Sequence, residues 1–175
     1  MSLDEVALSK EASTPPEKPV FLDAPEHPRL AQFAAYIDRK RATRPLADRS
    51  DINPAEILSF LPHLVILDVI DQGEDFRVRV FGTALVELLR EERTGQLVSQ
   101  FGQSYRIPTD PVELRSRWLK ICQMTIAGGE SLFFKSPTVS AERAYMVYHG
   151  MFAPLTAGTA EISQIIGMMI PVNVK

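Results

Sequence analysis

The stretch "FRVRVFGTALVELL", residues 76–89, is the most telling of the chain. Phe76, Val78 and Val80 alternate with Arg77, Arg79 and Phe81, the period-2 pattern of a strand whose two faces meet different surroundings. Gly82-Thr83 breaks the pattern, and "ALVELLR" changes to helical spacing, with Thr83 placed to cap it. Upstream, "HLVILDVID" (63–71) reads as a second strand and "QGED" (72–75) as a tight turn, so 63–81 is an antiparallel hairpin. Phe76, Val78 and Val80 are expected in the core. Arg77 and Arg79 are expected on the opposite face, their stems covered and their guanidinium groups meeting acids or water. A bulge or a one-residue slip would turn that face inward and make the two arginines a clamp for a carboxylate or phosphate.

On the N-terminal side of the hairpin, "DINPAEILSFLPHL" (51–64) opens a short helix with Asn53 as N-cap, Pro54 at the first helical position and Glu56 placed for a capping box; Pro62 stops it. Before it, Leu30, Phe33, Ala34 and Ile37 fall at i, i+3, i+4 and i+7, which predicts a helix over 28–44 with one apolar stripe. So short a helix is unstable alone, and its stripe must land on the domain or on a partner chain. Residues 1–27, with four prolines among polar residues, read as a flexible tail in which "VFLDAP" (20–25) docks locally. After the hairpin, "TDPVELRSRWLKICQMTIAGG" (109–129) is a helix capped by Asp110, started by Pro111 and closed by Gly128-Gly129. Strands follow at 131–139, 144–155 and 163–172, the last two joined by a hairpin loop. Two strands, a helical crossover and three more strands make an α+β domain: a five-stranded antiparallel sheet with helices on one face, over 50–175, preceded by an amphipathic helix and linker at 28–49.

That order is the plan of a PAS domain. Leu61–Val69 ("LPHLVILDV"), Phe76–Thr83 ("FRVRVFGT") and Thr94-Gly95 resemble a family of compact bacterial PAS-like domains, usually standing alone. The resemblance covers about residues 50–175 and is strongest over 53–98. It implies a sensory or interaction module and carries no established chemistry with it.

Composition agrees with a folded domain and narrows its class. Apolar residues make up 45% of the 175 and charged residues 23%, enough for a real core. A net charge of −3 argues against general nucleic-acid binding, and the basic run "DRKRATR" (38–44) fits a helix C-terminus. One cysteine excludes an intramolecular disulfide, and no apolar run is long enough for a signal peptide or a membrane span, so a cytoplasmic protein is expected.

Chemistry is sparse. His27, His63 and His149 are distant in sequence without ligand spacing, and His149 in mid-strand disfavours rather than suggests haem. Cys122 lies on an apolar helical stripe, outside the context needed for a flavin adduct or a nucleophile. Glu91-Glu92 read as solvated loop charges. The expected function is non-catalytic: a module binding a small molecule or a regulatory protein partner, as a homodimer. Its candidate ligand-binding residues are Arg79, Phe134, Tyr148, His149 and Met168, the aromatics and Met walling a cavity that a filled core would equally explain. Leu30, Phe33 and Ile37 are the candidate dimer or partner interface. No catalytic or metal-binding residue is expected. The alternatives are a ligand-free adaptor and a small α+β enzyme using Arg79, Tyr148 and His149. The last strand ends near Lys175, so a signal is expected to leave through the outer sheet face and the helix over 28–44.

Overall fold

The computed structural model describes residues 16–103, 110–139 and 141–174. Of the expected tail, residues 1–15 lie outside the described residues, as does Thr109 at the head of the third helical run. The described chain forms a six-stranded, wholly antiparallel sheet in the order β1-β4-β5-β6-β2-β3. The strands are β1 (Val20–Leu22), β2 (Leu64–Ile70), β3 (Asp75–Phe81), β4 (Leu132–Pro137), β5 (Met146–Thr156) and β6 (Ile162–Asn173). The helices are α1 (Pro28–Arg41), α2 (Thr83–Leu89) and α3 (Pro111–Gly128). The sixth strand is the docking segment "VFL": Phe21 pairs with Phe134 and covers the edge that β4 would otherwise expose.

Local chemistry explains most element ends. Asp110 Oδ1 accepts the N–H groups of Val112 (3.0 Å) and Glu113 (3.2 Å), Pro111 starts α3, and Gly129 at φ +64° ends it. Residues 51–64 form no α-helix; 3-10 turns at Pro54–Glu56 and Leu61–His63 take its place. Asn53 caps the first by accepting the Ala55 N–H, but Glu56 completes no box. Its carboxylate instead accepts from the Tyr36 hydroxyl at 3.0 Å and pairs with Lys40 at 2.6 Å, binding the turn to α1. Gly82 rather than Thr83 is the N-cap residue of α2, with no side-chain bond there.

The opening strand carries a bulge. Ile66 faces Val80 and Leu67 faces Val78, leaving Arg79 as the extra residue on β3. Phe76, Val78 and Phe81 consequently point toward α3, while Val80 joins the opposite face. Arg77 stays exposed, and Arg79 pairs with Asp68, whose other oxygen accepts from Gln164 at 2.8 Å. The outer edge of β3 is closed by the turn after Arg93, where Gly95 N donates to Val78 O and Val78 N donates to Gln96 O.

Helices cover both faces of the sheet: α2 and α3 lie on one, and the N-terminal helix α1 lands on the other. On one face α2 and α3 set Leu85, Leu114, Trp118, Ile121 and Cys122 over Val65, Leu67, Phe76, Phe134, Phe152 and Ile165. On the other, Leu30, Phe33, Tyr36 and Ile37 of α1 lie over Leu64, Ile66, Met151, Leu155, Ile166 and Met168. Leu30, Phe33 and Ile37 are 1%, 0% and 4% exposed. They face the chain's own sheet, so the stripe anchors the helix within its own fold instead of standing open to a partner. The linker after α1 is held by Asp48, whose carboxylate accepts from Ser50, the Thr156 hydroxyl and Gly158 N; these bonds keep it far below the usual carboxylate range.

Candidate functional site

Between α3 and the sheet lies a cavity with about 80 Å³ of space for water-sized groups. Its floor is the α3-facing side of β4, β5 and β6, and two glycines shape it. Phe134 pairs with Gly150, and Phe152 with Gly167. A β-carbon at Gly150 would stand 2.2 Å from the Phe134 ring, and one at Gly167 would stand 2.3 Å from that of Phe152. The rings therefore lie over glycine backbone and meet edge to face, with centroids 5.4 Å apart. Trp118 and Ile121 of α3, Met169 of β6 and Leu88 of α2 complete the apolar lining.

Polar groups enter from four segments of the chain. Tyr148 projects from β5, and burial pushes its phenol up to about 12, with Arg143 and Arg93 acting in the opposite sense. Its hydroxyl is buried without a hydrogen-bond partner among the described residues. Arg93 is 2% exposed and lies among rings: its guanidinium carbon is 4.3 Å from the Phe101 centroid, 5.5 Å from that of Phe81 and 5.8 Å from that of Trp118. Desolvation lowers its pKa and Glu91 opposes the shift, but a guanidinium keeps its charge near neutrality. Glu91, its carboxylate partner, is 3.4 Å away, and Nη1 of Arg93 has no partner among the described residues. At the rim, Arg117 from α3 bonds Glu113 and the Pro137 carbonyl, while Arg143 arrives from the segment between β4 and β5.

Of the five candidate ligand residues, the structure brings Phe134 and Tyr148 together at this cavity and takes the other three elsewhere. Arg79 is on the sheet's outer edge with Asp68, because the bulge leaves it outside the pocket. Met168 is buried under α1; its neighbour Met169 faces the cavity, since successive strand residues point to opposite faces. His149 follows Tyr148 and is turned away for the same reason. Arg79, Tyr148 and His149 thus share no cleft, which removes the trio on which the enzyme alternative rested.

The sequence reading missed Arg93, Arg117 and Trp118. Glu91, read as solvated, is 8% exposed in its pair with Arg93. The available signal was Thr94-Gly95: a turn there folds the preceding residue back over the sheet edge. Nothing in sequence spacing placed Arg93 beside Phe101 or Trp118.

The histidines also meet, on the α1 face. His27 caps α1 by accepting the Arg29 N–H at Nδ1, and its ring lies 6.1 Å from that of His149. Burial lowers the pKa values of His149 and His63; Lys135 and His27 add to the effect at His149 and Arg29 and His27 at His63, while Glu26 opposes it at His149. No group of three or more His, Cys, Asp or Glu among the described residues is arranged to hold a metal ion, and no described helix is long and apolar enough to cross a membrane.

Comparison with known proteins places this architecture. No curated protein matches the chain. The model of the PAS domain family matches residues 25–170, a span that takes in α1 and every strand from β2 to β6 nearly to its end. A sheet with a helix-covered cavity, matched over most of its length by that model, makes the chain a member of the PAS domain family.

Proposed function

We propose that this PAS domain is a non-catalytic sensory or regulatory module that takes a small molecule into the cavity beneath α3 and passes the change to a regulatory protein or to a second copy of itself. PAS domains are in general sensory modules, which sets the broad class. The observation that carries the finer reading is the pair of buried donors, Tyr148 Oη and Arg93 Nη1, at a cavity with an apolar floor. Buried polar groups in folded proteins are nearly always satisfied, and a ligand at this position would satisfy both.

Strand β5 offers a route outward. Tyr148 and Phe152 line the cavity, while Met151 and Leu155 of the same strand sit beneath α1. Movement of β5 on ligand entry would change the seat of α1, whose outward face carries Gln32, Asp38 and Arg39 and is available to a partner. Native mass spectrometry of the chain purified from its own cells tests this reading. A retained small molecule appears as added mass. An unliganded mass, together with no thermal upshift across a broad metabolite panel, would overturn it.

A further inference from the structure

The donors around the cavity are of one kind. Arg93 Nη1, Arg117 Nε, Arg143 Nη1 and Tyr148 Oη are all buried without a hydrogen-bond partner among the described residues. All four residues line the same space. Three of the four atoms only donate. The rings around Arg93 attract its charge but offer no lone-pair acceptor, which leaves Nη1 in need of one. Glu91 supplies one long contact, at 3.4 Å. Charge points the same way: Arg90, Arg93, Arg117 and Arg143 line the cavity against Glu91 and Glu142. A visitor that completes this set brings acceptors and negative charge.

Size and lining narrow the class. With about 80 Å³ of space, the cavity is well below the roughly 300–1,000 Å³ of sites for drug-sized ligands, which points to a small ligand. Trp118, Phe134, Phe152 and Met169 make an apolar seat that suits a ligand body without polar groups of its own. Taking the cavity to be the ligand site proposed above, we infer that it binds a small monocarboxylate with a compact apolar or aromatic body. The carboxylate meets Arg93 and Tyr148, and the body lies over the Phe134–Phe152 floor against Trp118. A guanidinium edge matches a carboxylate in shape as well as charge.

Trp118 is the chain's one tryptophan, so its fluorescence reports occupancy directly. Benzoate, phenylacetate and 4-methylpentanoate are titrated into the full chain, each beside its primary amide, with inorganic phosphate as a further arm. At least one acid is expected to bind saturably and at least tenfold more tightly than its amide. In Arg93→Met that acid should lose tenfold or more, while the amide changes less than twofold. Should Arg93→Met fail to fold, Tyr148→Phe gives the same test, with a several-fold loss confined to the acid. Equal binding of acids and amides would overturn the carboxylate assignment while leaving the cavity as a ligand site. Binding of phosphate alone would overturn it too. Silence from acids, amides and phosphate alike would also defeat it, and the mass spectrum of the native protein would then decide separately whether the cavity holds any ligand.

Discussion

The Phe134 ring occupies the volume that a side chain at residue 150 would need, its Cζ only 2.2 Å from where a β-carbon on Gly150 would stand. The two residues are cross-strand neighbours on β4 and β5, and the ring of one completes the surface that the other leaves bare. The depth of the cavity follows from that relationship, because a ring displaced from glycine can move only upward into the space beneath α3.

Gly150→Val is therefore expected to push Phe134 into the cavity. Overpacking of this kind costs about 1–3 kcal/mol. The measurement is paired: a thermal melt for stability and Trp118 fluorescence for ligand response. A variant that loses stability yet keeps a wild-type ligand response would show that Phe134 does not set the floor.

Phe33 reports where α1 belongs. It is 0% exposed between α1 and the sheet, so Phe33→Ala should cost about 3–5 kcal/mol in unfolding free energy. The loss should be independent of protein concentration, because the contact lies within one chain. Urea melts at two concentrations tenfold apart check this. A midpoint that moves with concentration would return the stripe to a partner interface.

Acid should weaken the fold through His63 and His149. Burial holds both imidazoles below their ordinary 6.5, so just below that pH the unfolded chain takes up protons that the folded chain refuses. Stability is then unaffected by these two groups above pH 6.5 and falls as pH drops below it toward their folded values. Asp48, held far lower, does not titrate in this interval. Urea midpoints at pH 7.5 and 5.5 should differ, and His149→Leu should shrink the difference. An unchanged difference in that variant would remove His149 from the effect.

Cys122 should be inert until the chain opens. Its thiol is fully buried on the face of α3 that meets the sheet, and burial pushes its pKa well above the usual thiol range. Labelling by a thiol reagent should be orders of magnitude slower in the native protein than in guanidinium, with a rate that follows the opening equilibrium. Fast labelling under native conditions would mean that α3 lifts readily from the sheet.

Local signals carried much of the architecture. Asp110-Pro111 starts α3 and Gly129 ends it because capping and left-handed backbone depend on residues a few positions apart. Alternation over 63–81 announced the hairpin and placed Phe76 and Val78 in the core. The same evidence failed at Val80, since a bulge is a property of two strands in register and not of either one. It failed at 51–64 because Glu56, well suited to a capping box, finds Lys40 and Tyr36 nearer in space.

The order of elements, the apolar stripes and the plan of the domain were legible in the chain alone, each resting on contacts within a turn or a hairpin. It took the packed fold to select Tyr148 over His149 and Met169 over Met168 at the cavity, and to set Arg93 there among Phe81, Phe101 and Trp118. The physical reason is that a strand shows opposite faces at successive residues. Which face is which depends on helices that arrive from far along the chain.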